Sequence, residues 1–294
     1  MVRQAHHERL SEQEQHWDLA AVTRVSDNKV LWQANTVSAS GKTLTETLGN
    51  GLTTTRAYDA VDRITSIYTP VVHAQNYVYD ALGNITQRTD GVPNVIENFT
   101  YDTLNRLLQV TGTAGPGNTA LIPRTFVYNQ IGNILYKSDA GLFTYSASGA
   151  GSVRPHAVAS VAGPINAGYT YDANGSMTAG NGKTVTYTSF NMVNTIVSGA
   201  YNYTYNYDAE HQRVKLITVR PDDTLTSIYA SAGFYEKEIS TNTGEVTHKF
   251  YVKGVGVHVA KSTGLSEMRY YHTDNLGSIA WRAMRRSPPS ASRR

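Results

Sequence analysis

Tyr77-Val78-Tyr79-Asp80-Ala81-Leu82-Gly83-Asn84-Ile85 is the stretch that the rest of the chain repeats. On a strand, Tyr77 and Tyr79 share one face, because side chains alternate with a period of two. Asp80 and Gly83 stand at the first and fourth positions of the turn that follows, which is the residue preference of a type I turn. An Asp side chain can also accept hydrogen bonds from the backbone just ahead of it. Ile85 opens the returning strand. The stretch reads as strand, tight turn, strand.

The same grammar recurs at Asp59, Asp80, Asp102, Asn129, Ser146, Asp172, Asn191, Asp208 and Asp274. Three residues beyond these anchors stand Asp62, Gly83, Asn105, Gly132, Gly149, Gly175, Asn194, His211 and Gly277. All are types that tolerate or favour the left-handed region. An aromatic precedes most anchors: Tyr58, Tyr79, Tyr101, Tyr128, Tyr145, Tyr171, Phe190 and Tyr207. Five residues past the anchor an apolar residue usually follows: Ile64, Ile85, Leu107, Ile134, Met177, Ile196 and Ile279. The unit at Ser146 lacks it, and the unit at Asp208 carries Val214 one place late. Ser38-Ala39-Ser40-Gly41 offers a further turn of the same spacing. Anchors roughly 20 residues apart point to a repeat array.

The bulk properties suit strands joined by tight turns. The chain has 294 residues, 40% hydrophobic and 17% charged, with 20 tyrosines. Its aromatic content and net charge of +3 argue against disorder. The charges are scattered, so no basic stripe follows a phosphate backbone and nucleic acid is not an expected partner. The absence of cysteine excludes a disulfide framework and a thiolate metal site. No run approaches the ~20 apolar residues of a membrane span.

Taken in order, residues 1–24 are a polar segment, of which 1–20 are read as a short polar helix or an irregular start. They lack the apolar core of a secretory signal. Any export therefore needs a signal elsewhere or an independent route. The repeat array is expected over 25–224. Within it, 111–123 and 147–168 are rich in Gly, Ser, Thr or Pro and read as loops. Tyr201 to Tyr207 alternates tyrosine with polar residues, a strand signal whose rings are read as packing rather than as a stacking platform. The last strands are expected over 225–281, and a disordered basic tail over 282–294.

Catalytic patterns fail on inspection. Gly41-Lys42-Thr43 and Gly182-Lys183-Thr184 lack the glycine five places earlier that a phosphate-binding loop requires. His272 and Asp274 are only two metal donors, and the turn already accounts for Asp274. No catalytic, cofactor-binding or metal-binding residue is assigned, no cofactor is expected, and the chain is not read as an enzyme. The residues singled out are structural: Tyr58, Asp59, Tyr79, Asp80, Gly83, Tyr101, Asp102, Tyr128, Gly132, Tyr171, Asp172, Gly175, Tyr207, Asp208, Asp274 and Gly277.

The motif Y-x-Y-D-x-x-G-N-I, strongest at Tyr79 to Ile85, resembles the YD repeat of RHS-repeat proteins. Tyr271-His272-Thr273-Asp274-Asn275-Leu276-Gly277-Ser278 is similar to the opening of the core region that closes such proteins, and Gly233-Phe234-Tyr235-Glu236-Lys237 fits the approach to it. The resemblance covers roughly residues 25–281. It implies an all-β fold of antiparallel hairpins in a curling sheet, part of a hollow spiral shell. In bacterial polymorphic toxins and the C component of Tc toxins, such a shell holds a C-terminal toxin that core aspartates cut free. Here the later aspartate-glycine motifs are missing, so Asp274 is not given that role and self-cleavage is not expected. The implied function is a structural shell segment, without cargo or autoprotease in this chain. The implied partners are the remainder of a shell or a toxin cargo domain. The alternative is a carbohydrate-binding or adhesion module, and the implied location is secreted or at a bacterial surface.

Overall fold

The computed structural model describes the backbone of residues 2–11 and 14–284 and the side chains of residues 19–280. It contains 27 strands and a single three-residue 3₁₀ turn, Ser231–Gly233. Successive strands pair antiparallel from Val2–Ser11 through to Ile279–Met284. The one exception is the two-residue strand Thr119–Ala120. It lies beside Leu107–Ala114, which also pairs with Arg124–Tyr128. The fold is all-β, a single repetitive sheet of hairpins.

Turn chemistry sets the register. The Asp80 N–H donates to the Asn84 carbonyl at 2.9 Å, and the Gly83 N–H to the Asp80 carbonyl at 3.2 Å. The register then slips between Val78 and Tyr79. This is a type I turn followed by a left-handed residue in a bulge, a common three-residue hairpin loop. The left-handed position is Gly83 at φ +90°, and elsewhere Asp62 at 62°, Asn105 at 59° and His211 at 60°.

Two units depart from the sequence reading. The unit assigned to Asn191 is anchored three residues earlier, at Thr188. Asn191 itself is the left-handed residue at φ 60°, and its N–H donates to the Thr188 carbonyl at 3.1 Å. The Thr188 hydroxyl accepts from the Met192 N–H at 3.1 Å and so stands in for the carboxylate. Tyr187 is then the aromatic and Val193 the apolar residue, while Asn194 lies inside the strand Val193–Ser198. At Ser146 no tight turn forms. Residues 146–157 make a longer connection, turned at Gly149 and again at Arg154 (φ 61°).

The sheet also reaches further than the composition suggested. Polar residues 2–11 and 14–24 are paired strands rather than a helix, because Glu14–Arg24 finds a ladder partner in Lys29–Val37. The loop expected over 111–123 is largely a hairpin closed by Gly115 and Asn118. Of the expected 147–168 loop, Val158–Ala162 is strand. The final strand runs to Met284, and the rest of the expected basic tail lies outside the described residues. The molecule exposes 18285 Å² for 32.2 kDa. A compact chain of that mass exposes roughly 12,000 Å². Most of the sheet is therefore a single layer.

Candidate functional site

Two assemblies stand out. The first is a ladder along one rim. Successive strands alternate in direction, so the turns at Ser38, Asp59, Asp80, Asp102, Asn129, Asp172, Thr188, Asp208 and Asp274 all fall on the same rim. At Asp59, Asp80, Asp102, Asn129, Asp208 and Asp274 the anchor side chain accepts two backbone N–H groups. Asp59 Oδ1 takes those of Val61 and Arg63 at 3.0 and 2.9 Å, and Asp102 Oδ1 those of Leu104 and Arg106, both at 2.9 Å. Asp208 and Asp274 repeat this with Glu210 and Gln212, and with Leu276 and Ser278. At Asp172 the same oxygen takes the Ser176 N–H at 2.9 Å. Gly132, Gly175 and Gly277 sit at positive φ beside them. The Asp80 carboxyl is held below its ordinary range chiefly by the Asn84 side chain, and the Asp102 carboxyl chiefly by the Arg106 N–H.

The tyrosines join the turns to one another. The Tyr79 hydroxyl donates to the Ile64 carbonyl at 2.8 Å, Tyr101 to Ile85 at 2.7 Å and Tyr128 to Leu107 at 2.9 Å. Tyr58, Tyr145, Tyr171, Tyr187 and Tyr207 reach Thr43, Ile134, Val158, Met177 and Val193 in the same way. Each hydroxyl satisfies the carbonyl of the residue that opens the returning strand of the preceding unit. Arginines reinforce two of these steps. Arg63 pairs with Asp59 at 2.6 Å, and its guanidinium lies 4.7 Å from the centre of the Tyr79 ring; Arg106 repeats this with Asp102 and Tyr128. The inter-unit use of the tyrosine hydroxyl has no sequence signature of its own. Only the constant spacing of aromatic and anchor hints at it.

The second assembly is a seam where late strands lie over early ones. Alternation puts His73, Gln75 and Tyr77 on the buried face of one strand, and Met268, Tyr270 and His272 on the buried face of another. The Asn275 N–H donates to the Tyr77 hydroxyl at 3.3 Å, across 198 residues of sequence. Tyr77 in turn donates to Gln75 Oε1, and burial pushes its phenol up to about 12. An apolar patch of Val22, Leu31, Leu48, Val255, Met268 and Tyr270 adjoins these groups. At Gly49 the layers touch: a Cβ there would stand 2.3 Å from the Tyr270 hydroxyl oxygen and 2.5 Å from the Val30 carbonyl oxygen. Beside the patch opens a cleft of about 520 Å³ lined by Leu19, Trp32, Phe234 and Tyr251. Trp32 Nε1 donates to Glu46 at 2.8 Å, and Arg56 pairs with the same carboxylate at 2.6 Å. Among the described residues no three His, Asp or Glu side chains group as metal donors. No described helix is long and apolar enough to cross a membrane.

This winding of hairpins matches solved structures. A chain in a structure of the Photorhabdus luminescens Tc holotoxin pore, bearing a TccC3 mutation, superposes with a TM-score of 0.70 at 17% identity over 91% of this chain. The chain has the fold of a Tc-toxin component. A crystal structure of TcdB2-TccC3 without its hypervariable C-terminal region gives a TM-score of 0.68, also at 17% identity, over 90% of this chain. The chain spans 16% of the length of each of these Tc-toxin chains. No family model and no curated protein matches the sequence. The Tc-toxin likeness agrees with the RHS-repeat resemblance of the turn motifs and reaches well beyond the turns, into the strands between them.

Proposed function

We propose that this chain is a wall segment of an RHS-type shell, and that its work is structural. The observation that carries this reading is the curl: a mostly single-layered sheet, stitched unit to unit by tyrosine hydroxyls, returns to touch its own early strands at Tyr77 and Asn275. A sheet built to form a compact core would instead bury two faces along its length. The fold shared with the Tc-toxin chains supports the same reading. The turn carboxylates cap backbone, so their regularity needs no catalytic explanation. In an intact protein of this type, the enclosed volume would hold a C-terminal toxin domain, and the chain would act outside the cell that makes it.

The test is electron microscopy of the purified chain, paired with a glycan array. The expected outcome is a curved wall around a solvent-filled space and no glycan bound. A filled, compact particle, or specific binding of one glycan class, would replace the wall reading with that of a carbohydrate-binding module.

A further inference from the structure

The seam holds a feature that a purely structural wall does not require. His73 and His272 are 2% and 3% exposed. Neither ring nitrogen of His73 has a hydrogen-bond partner, and nor does Nε2 of His272. The strands His73–Tyr79 and Ser266–Thr273 both run toward the turn rim. The contact of Asn275 with Tyr77 therefore sets His272 opposite the start of the early strand, beside His73.

We propose that the buried His272, packed beside His73, forms an acid-sensitive latch, in which gain of a proton at His272 parts the late strand from the early one while the tyrosine ladder stays intact. A buried neutral imidazole is tolerable, but a buried cation without a counter-charge is not. The charged groups facing the pair, Glu46 and Arg56, and those beside the flanking Gln75 and Tyr77 are already engaged. Glu46 is held by Arg56 at 2.6 Å and by Trp32 at 2.8 Å, and Arg56 brings a second positive charge. Asp90 accepts from Gln75 at 3.4 Å, Arg88 pairs with Glu97, and Asp274 is bound into its own turn. Polar neighbours Thr54 and Thr69 bond each other at 2.7 Å. The ladder, by contrast, consists of neutral phenols on backbone carbonyls and has no proton to gain near neutrality.

The sign follows from burial. Burial first, and then the nearby His73, push His272 down to about 4 from the ordinary 6.5. The closed seam is therefore favoured above pH 6.5 and loses that advantage as pH falls toward 4. Between pH 7 and pH 4 the ratio of open to closed seam should rise ~100-fold from His272 alone. The device operates whether or not the wall encloses a cargo.

The chain lacks cysteine, so two introduced thiols are unique labelling sites. Leu82→Cys and Leu276→Cys place nitroxides on exposed turn positions, one on each side of the seam. Double electron–electron resonance should give one short distance at pH 7.5. A longer distance should replace it with a midpoint between pH 6.5 and 4, with far-ultraviolet circular dichroism unchanged. In the same background, His73→Phe with His272→Phe should keep the short distance at pH 4. If circular dichroism shows that pair unfolded, His73→Gln with His272→Gln serves in its place. A parent that stays closed at pH 4, or a folded double variant that opens at the parent's midpoint, would overturn the latch.

Discussion

At Gly83 the backbone alone decides which residue fits. Its φ is +90°, and a Cβ there would meet nothing nearer than the Arg63 guanidinium at 3.9 Å. Gly83→Val should thus cost about 1–2 kcal/mol through the left-handed backbone, without any clash. Asn105, at φ 59°, should accept glycine with little change. Thermal melts of both variants check this, and equal melting temperatures for Gly83→Val and the parent would sink the argument. Tyr101 poses a different question, because its ring and its hydroxyl have separate tasks. Tyr101→Phe keeps the ring and deletes the 2.7 Å bond to the Ile85 carbonyl. A loss of about 1 kcal/mol is expected, read as a lower urea midpoint. No change would mean that water replaces the phenol. The turn residues were open to sequence reading because Asp and Gly carry their preferred geometry in their own chemistry. His73 and His272 were not, since burial there comes from a contact between strands far apart in the sequence.

At the scale of the hairpin, the turn is an electrostatic device as well as a steric one. The Asp80 and Asp102 carboxylates are acceptors held below the usual carboxylate range, chiefly by the Asn84 side chain and the Arg106 N–H. Their stabilisation is complete above the ordinary carboxylate pKa and fades as pH falls through the lower folded values. Urea midpoints of the parent should therefore drop below about pH 4. Asp80→Asn with Asp102→Asn should flatten that drop while lowering stability at pH 7. Identical pH profiles would mean that the carboxylates are solvated bystanders. This window lies below that of His272 at the seam, so the two effects separate on one pH axis. The hairpin scale also explains the misplaced frame at Asn191. Phe190-Asn191 imitates the aromatic-anchor pair, whereas the true anchor, Thr188, offers only a hydroxyl. The polar strands before residue 25 carry no sequence signal for a related reason: their order depends on a ladder partner and not on their own periodicity.

At the scale of the whole molecule, the ladder and the seam follow different rules. From Tyr58 to Tyr207 every rung joins a unit to its immediate predecessor, and the same rung serves at each of those steps. Such a rule cannot count. It would hold equally well with one unit more or fewer, as the long 146–157 connection already suggests: Tyr171 still finds a carbonyl, that of Val158, on the strand that returns from it. The seam does count, because Tyr77 meets Asn275 only if the arc between them has the right number of hairpins. Deleting residues 80–101 joins Tyr79 directly to Asp102 and leaves Leu107 in place to receive Tyr128. The shortened chain should keep its β-sheet circular dichroism. It should nevertheless melt lower and admit solvent to the Tyr270 and His272 pocket, because one hairpin is about 10 Å of arc. Hydrogen exchange across 266–273 would detect this, and full protection there would show that curvature adjusts freely. Repeat number in this chain is thus under a length constraint imposed at one joint, and the seam acts as the gauge against which units are gained or lost.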